Sequence, residues 1–317
     1  DEATALICLE VGKPLPEADA DVAEAIDFCE YYARQALALQ TTTPLQAHVP
    51  GESNSINYSA RGVAVVIAPW NFPLAILTGM PAAAAVVGNT VLMKPAEQSS
   101  AIAKLLMEAI QAAGFPGDVI QLLPGRGETV GAALVSDPRT AIVAFTGSME
   151  VGLHIIKEAG VTGPSQAQVR RVICEMGGKN AIIVDDDADL DEAVAGVVKS
   201  AFGFAGQKCS ACSRVIVLDK IHDAFCERLK DAVDALHIGD SARPGMDLGP
   251  VVDGEALEKV ARYQAIGATE GTLLAQAPAP QGGHYAPASV YRDISGEDQL
   301  AQEEVFGPIL AVLRADS

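Results

Sequence analysis

The chain has 317 residues, with 41 acidic and 22 basic side chains and a formal net charge of −19, and at ~150 residues per domain it holds about two domains. Such a charge excludes nucleic acid and anionic membrane surfaces as partners, because both are bound by clustered Lys and Arg. The 49% hydrophobic content and mean hydropathy of +0.22 provide for a sizeable core and exclude disorder.

No apolar run reaches the ~18 residues of a membrane span, so no integral membrane segment is expected. Six cysteines in a chain of this length do not make a disulfide scaffold, and no basic-then-apolar leader opens the sequence. The expected setting is the reducing cytoplasm.

Residues 1–7 read as the middle of a helix. Residues 19–39 place Val22, Ile26, Cys29, Ala33 and Ala36 at helical spacing, with acidic residues between them. A polar stretch to Asn57 reads as a loop or a small excursion from the main body, a candidate oligomerisation element near 41–60. At Val63-Ala64-Val65-Val66-Ile67-Ala68 the pattern becomes that of a strand buried on both faces. Helix is expected over 74–87, strand over 91–93, helix over 99–113 and strand over 119–123. A short helix from 128, a strand over 141–145, a helix over 149–159 and a strand around 172–174 complete the run. Strand and helix alternating with Gly/Pro punctuation predict an open parallel sheet covered by helices.

A second α/β region starts near residue 176. Strand is expected over 181–184, and Asp189 with Glu192 three residues on resembles a capping box. The helix behind it places Val194, Val197, Val198, Ala201 and Phe202 on one face. A strand over 214–218 and a helix over 221–236 follow, residues 275–280 read as a surface loop, and residues 308–313 read as a strand with nothing after it. The abrupt start and end read as an excerpt from a longer chain. Domains are expected at 1–175 and 176–317.

In open parallel sheets, ligands bind beyond the carboxyl ends of the strands. Five polar or Gly-rich segments follow the predicted strands there: Pro69-Trp70-Asn71-Phe72-Pro73, Lys94-Pro95-Ala96-Glu97, Pro124-Gly125-Arg126-Gly127, Thr146-Gly147-Ser148 and Glu175-Met176-Gly177-Gly178. Each alone could be ordinary turn chemistry. Gly125, Gly127 and Gly131 form G-x-G-x-x-x-G, not the dinucleotide fingerprint. Gly147-Ser148 either seats an anion or simply starts a helix. Cys209 follows Lys208 in a loop, a setting that suits a thiolate nucleophile. With Cys212 it forms C-x-x-C, but no second Cys pair or His pair stands at zinc spacing, so no metal is expected. A redox dithiol would open a helix, whereas this pair leads into a strand. Cys8, Cys29, Cys174 and Cys226 read as small hydrophobes in the core. The histidines at 48, 154, 222, 237 and 284 form no ligand pair and offer Cys209 no obvious base.

Together, Pro69-Trp70-Asn71-Phe72-Pro73, Lys94-Pro95-Ala96-Glu97, Phe145-Thr146-Gly147-Ser148, Glu175-Met176-Gly177-Gly178-Lys179, Gly206-Gln207-Lys208-Cys209 and Glu304-Val305-Phe306-Gly307-Pro308 resemble the aldehyde dehydrogenase superfamily, in family order and over nearly the whole chain. Lys208-Cys209-Ser210-Ala211-Cys212-Ser213, the stretch Glu10-Val11-Gly12-Lys13 and residues 19–28 are similar to the Δ1-pyrroline-5-carboxylate (L-glutamate γ-semialdehyde) dehydrogenases. Those enzymes occur alone or as part of bifunctional proline utilization A proteins.

The resemblance implies a Rossmann-like cofactor domain joined to a second α/β catalytic domain. It implies NAD as cofactor, a small-molecule aldehyde as substrate, a homo-oligomer, and a proline dehydrogenase domain on the same chain in the bifunctional members. Cys209 would be the nucleophile, Asn71 an oxyanion donor and Glu175 the general base. Ala68, Pro69, Trp70, Lys94, Glu97, Gly127, Thr146, Gly147, Ser148, Gly177, Glu304 and Phe306 would contact the cofactor, and Ser210 the substrate. Met176 stands where the superfamily usually has Leu. The family's substrate-anchoring loop lies beyond the Phe-Gly-Pro motif. Two alternatives stay open on the residues alone: oxidation of another semialdehyde or aliphatic aldehyde, or an inactive NAD-binding fragment.

Overall fold

The computed structural model of the chain describes residues 1–41, 43–45 and 49–316, the side chains of 43–45 excepted. Part of the segment expected to serve oligomerisation, and His48, therefore lie outside the described residues. Two helices open the chain, α1 (Glu2–Val11) and α2 (Leu15–Gln40). The ribbon of β1 (Thr43–Leu45) and β2 (Asn54–Ile56), paired antiparallel, stands where the sequence reads as a loop or excursion. Strands β3 (Val63–Ile67) and β4 (Thr90–Lys94) flank α3 (Ala75–Ala85), and α4 (Ser100–Ala112) leads to β5 (Ile120–Leu122). Then come α5 (Ala132–Ser136), β6 (Thr140–Gly147), α6 (Met149–Ala159) and β7 (Arg171–Met176). The helix expected from 128 begins as a wider turn over Gly127–Gly131, with the Gly131 N–H reaching back to the Arg126 carbonyl at 3.4 Å.

The chain divides into two compact units, residues 20–176 and residues 1–19 with 177–317. The sequence places a division one residue earlier, at 175/176, and assigns residues 1–19 to the first domain; they pack instead with the second unit. Local pattern could not show this, because the contacts are distant in sequence. Ser241 Oγ donates to the Cys8 carbonyl at 3.4 Å. At Gly12, where φ is 71°, any Cβ would stand 2.6 Å from Pro250 Cγ.

Unit 20–176 is built on a sheet of order β5-β4-β3-β6-β7, every pair parallel. Its centre is β3, whose Ala64, Val65 and Val66 have no exposed surface, as a β-branched run buried on both faces should. Register sets Ile67 beside Lys94 on one side and Phe145 on the other. The strand ends therefore align, and the order reverses about β3, the topological switch point where such sheets bind ligands.

The helix expected over 19–39 is present as the longer α2, but its buried face is turned by about one position. Asp21, Ala25 and Ala36 are buried, while Ile26 is 61% exposed and Cys29 and Ala33 are exposed on the rim of an apolar cavity shared with α3 and α4. Tertiary contacts decide the rotation. The Asp21 carboxylate accepts the Ala75 N–H at the start of α3, at 2.7 Å, and the Phe28 ring lies where a Cβ on Gly79 would come within 2.9 Å of it. Cys29 is consequently exposed and Cys174 half-buried, whereas Cys8 and Cys226 are core residues as expected.

The other unit holds β8 (Asn180–Val184), α7 (Leu190–Phe202), β9 (Cys212–Leu218), α8 (Asp219–Asp234), α9 (Gly254–Glu270), β10 (Thr272–Ala277), β11 (Ala288–Arg292), α10 (Gln299–Gln302) and β12 (Ile309–Ala315). Its sheet runs β10-β11-β12-β9-β8, antiparallel only between β10 and β11. Asp189 caps α7, its Oδ1 accepting from Asp191 N at 2.9 Å and Glu192 N at 3.3 Å. The loop expected over 275–280 is corrected in its first half. Ala275 and Ala277 belong to β10 and are buried, because small side chains on the inner face let the strand pack against the core. Sequence reasoning did not place α9, which is capped by Asp253, its Oδ1 accepting from Ala256 N at 2.9 Å.

Candidate active site

In unit 20–176 the predicted residues gather along the carboxyl edge of the sheet. Ala68, Pro69, Trp70 and Asn71 follow β3, with Ala68 and Asn71 buried, each 4% exposed. The Ala68 N–H donates to the Lys94 carbonyl at 3.1 Å, tying the ends of β3 and β4 together. Lys94 ends β4 buried, and its ammonium donates to the Pro95 carbonyl at 3.0 Å and to Glu97 Oε1 at 3.3 Å. The same oxygen accepts the Gly127 N–H at 2.7 Å. Burial raises the Glu97 carboxyl, but its own backbone amide, the Lys94 ammonium and the Gly127 N–H outweigh this and hold it below the ordinary range. The result is an ionised carboxylate beside a buried ammonium, an arrangement that can bind a vicinal diol.

Thr146 and Gly147 end β6, and Ser148 caps α6 with its Oγ accepting from Val151 N at 3.4 Å. A helix N-terminus at a switch point favours an anion through its amides and dipole. Glu175 lies opposite Thr146 in the β6–β7 register and is exposed. Beside this edge a cavity of about 550 Å³ is lined by Ile67, Gly131, Val135, Val151 and Ile155, with Glu128, His154 and Glu158 among its polar residues. Its walls are largely apolar. Of its lining only Gly127 and Gly131 stood out in the sequence; the remaining walls come from three separate elements and carry no motif.

In the other unit, Cys209 is exposed at the end of a tight turn. Phe204, Ala205 and Gly206 have φ of 50°, 53° and 69°, a left-handed run that non-glycine residues rarely adopt. Asn180 Nδ2 donates to the carbonyls of Cys209 at 2.6 Å and Ala211 at 3.2 Å, fixing the loop to the start of β8. Asn180 was not singled out from sequence. Cys212 is the inert member of C-x-x-C: its buried thiol donates to the Arg214 carbonyl at 3.3 Å, and burial pushes it up to about 11. Ser210 is exposed beside Cys209. The Lys208 ammonium is paired with the Glu17 carboxylate, at 2.9 and 3.1 Å.

Gly177 and Gly178 lie against Glu304, whose Oε1 accepts the Gly178 N–H at 3.2 Å. A Cβ on Gly177 would overlap the Glu304 carboxylate. Helix α9 supports this segment. Glu270 accepts the N–H groups of Gln299 at 3.0 Å and Leu300 at 2.9 Å, Tyr263 donates to Glu303, and Val260 fills the space a Cβ on Gly307 would need. Two amines sense the Glu304 charge. Burial lowers Lys179 to about 8 and also lowers Lys259, and Glu304 opposes both shifts. Phe306 is left-handed at φ 58°, and Gly206 packs so closely on the Gly307 carbonyl that only glycine fits there. The cysteine loop and the Glu304–Phe306 segment are thereby joined.

Within each unit the predicted residues therefore converge: Ala68, Pro69, Trp70, Asn71, Lys94, Glu97, Gly127, Thr146, Gly147, Ser148 and Glu175 in one, and Gly177, Cys209, Ser210, Glu304 and Phe306 in the other. Among the described residues no group of three or more His, Cys, Asp and Glu is placed to hold a metal ion, and no helix is long and apolar enough to cross a membrane.

The chain is 45% identical over 315 residues to 1-pyrroline-5-carboxylate dehydrogenase of Anoxybacillus flavithermus, an alignment covering 99% of this chain and 61% of that one. It spans less than two thirds of the length of such relatives. A solved 1-pyrroline-5-carboxylate dehydrogenase from Thermus with bound NAD is 46% identical with a TM-score of 0.97, covering 100% of this chain and 61% of that chain. Proline utilization A from Bdellovibrio bacteriovorus, inactivated by N-propargylglycine, is 53% identical with a TM-score of 0.97, covering 99% of this chain and 33% of that one. The aldehyde dehydrogenase family model matches residues 1–317, and the chain belongs to that family.

Proposed function

We propose that the chain carries out NAD-dependent oxidation of L-glutamate γ-semialdehyde, the open form of Δ1-pyrroline-5-carboxylate, to L-glutamate. The observation that carries this reading is the exposed Cys209 on its left-handed loop, joined through Gly206 and Gly307 to the segment bearing Glu304 and Phe306. The names of relatives at about 45% identity support the substrate. Residues 1–175 are assigned to the cofactor domain and 176–317 to the catalytic domain, with residues 1–19 packing in the latter.

The side chains present fit a dinucleotide. The Glu97 carboxylate and Lys94 ammonium suit an adenosine ribose diol, and the ionised Glu97 disfavours a 2′-phosphate, hence NAD over NADP. The apolar cavity beside Gly131 suits the adenine ring, Thr146, Gly147 and Ser148 the pyrophosphate, and Ala68, Pro69 and Trp70 line the same edge. Gly177 leaves room for Glu304, which would meet the second ribose, and Phe306 would pack near the nicotinamide.

Cys209 attacks the aldehyde carbon, forming a C–S bond and a thiohemiacetal. The Cys209 backbone N–H and, on the family likeness, the Asn71 side-chain amide are assigned to the developing oxyanion. Losing one such donor typically costs about 3–4 kcal/mol of barrier. When bound, NAD supplies the hydride acceptor that converts the thiohemiacetal to a thioester. Glu175 takes a proton from water, which attacks the thioester and releases the carboxylate with the thiol restored. Ser210 is the substrate contact beside the nucleophile. The likeness to proline utilization A supports a proline dehydrogenase domain as partner on one polypeptide, and the family likeness supports a homo-oligomer.

Cys209→Ala is the test. NADH formation from glutamate semialdehyde is expected to vanish while NAD still quenches the fluorescence of Trp70, the single tryptophan. Activity surviving in that variant would remove Cys209 from its role. Equal turnover of glutamate and succinate semialdehydes would overturn the substrate, and NAD binding by the unaltered chain without any NADH burst would leave a cofactor-binding protein only.

A further inference from the structure

Lys13 lies between α1 and α2 and has no exposed surface. A buried ammonium is costly unless its surroundings replace the water it has lost. Its Nζ stands 5.2 Å from the centroid of the Phe204 ring, within the range at which a ring face attracts a cation, an attraction that grows when both are desolvated.

Phe204 opens the left-handed run Phe204, Ala205 and Gly206, and it too has no exposed surface. Such a run persists only where the surroundings over-determine it. From its end, Gln207 is locked in place. Its Nε2 donates to the Phe204 carbonyl at 3.2 Å and the Pro250 carbonyl at 3.4 Å, and its Oε1 accepts the Val252 N–H at 2.8 Å. Cys209 is two residues further on. The backbone carrying Lys13 is held as firmly, since Gly12 ends α1 left-handed, donates to the Cys8 carbonyl at 3.1 Å and packs on Pro250. One turn later Glu17 holds Lys208. The segment from Lys13 to Glu17 thus grips the nucleophile loop on both sides of its turn, across about 190 residues of sequence.

We propose that Lys13 is a positioning residue for Cys209: its ammonium, fixed against the Phe204 ring, holds the left-handed turn from which the cysteine projects. It touches neither substrate nor cofactor and acts through Phe204. The inference rests on the reading of Cys209 as the nucleophile, but not on which aldehyde is oxidised.

The test uses the full chain with Lys13→Met, which keeps length and removes charge, and Lys13→Arg, which keeps charge. Iodoacetamide alkylation is followed at Cys209 by peptide mass spectrometry, because Cys29 is exposed as well. Lys13→Met is expected to slow Cys209 alkylation and the NADH burst by the same factor, roughly tenfold, with NAD affinity unchanged and both rates recovered in Lys13→Arg. A folded Lys13→Met chain alkylated at the unaltered rate overturns the proposal. So does a loss that follows melting temperature alone and is not rescued by arginine. If Lys13→Met does not fold, Phe204→Leu, which removes the ring face and keeps bulk, is read against the same outcomes. Activity retained in Cys209→Ala would instead defeat the nucleophile reading, whatever Lys13 does.

Discussion

Replacing Gly177 by alanine adds one methyl group where the Glu304 carboxylate now rests. The backbone at Gly177 lies outside the left-handed region, so alanine is admissible there and the conflict is steric alone. The atoms that must move are the tip of a flexible side chain. The carboxylate can swing away by rotation about its own torsions, giving up the 3.2 Å hydrogen bond from the Gly178 N–H. Stability should therefore change by roughly 1 kcal/mol or less, the net worth of an ordinary hydrogen bond. Function should change more. If Glu304 accepts hydrogen bonds from the cofactor's ribose, displacing it forfeits a charge-assisted contact worth about 1.5–3 kcal/mol, a roughly tenfold to hundredfold weaker NAD affinity. Titrating NAD against Trp70 fluorescence, with a thermal melt on the same sample, measures both quantities. An unaltered affinity in a variant with a normal melt would refute the reasoning, because it would mean that the position of Glu304 does not matter to the cofactor.

Two further outcomes concern stability. Asp21→Ala leaves the Ala75 N–H without its 2.7 Å acceptor in the interior, which should cost roughly 1–3 kcal/mol; a denaturant midpoint unchanged from the parent would show that water or another group replaces the carboxylate. The Lys179 Nζ is buried with no hydrogen-bond partner among the described residues, and burial lowers its pKa from 10.5 to about 8. The folded chain therefore binds fewer protons than the unfolded chain between pH 8 and 10.5, so stability from this group rises across that window, while below pH 8 the full cost of the buried charge, about 3 kcal/mol, applies. Lys179→Met should accordingly be more stable than the parent at pH 7, with the advantage fading towards pH 10.5. Parallel stability curves for the two proteins across that range would contradict the assignment.

The sequence by itself determined what depends on neighbours along the chain. The β-branched run at 63–67, the alternation of strands and helices to Met176 and the cap at Asp189 are local signals, and they were legible because propensity and periodicity act over a few residues. The candidate chemistry was legible for the same reason: Asn71, Lys94, Glu97, Glu175, Cys209 and Glu304 all sit in short motifs at strand ends or in loops. What the tertiary structure decided depends on contacts remote in sequence. The rotation of α2 follows from Asp21 and Phe28 meeting α3, 54 residues away in the first case, where hydrophobic spacing alone favoured the neighbouring face. The order β5-β4-β3-β6-β7, and with it the switch point, is a matter of strand pairing rather than of strand formation. Lys208 reads from sequence as a cation beside the nucleophile, and in the structure its ammonium is paired with Glu17. Lys13, unremarked as chemistry in the sequence, becomes a buried cation under the Phe204 ring only when residues 1–19 pack with residues 177–317. Local propensity selects the elements; burial and pairing over long separations select which faces and charges those elements bring together.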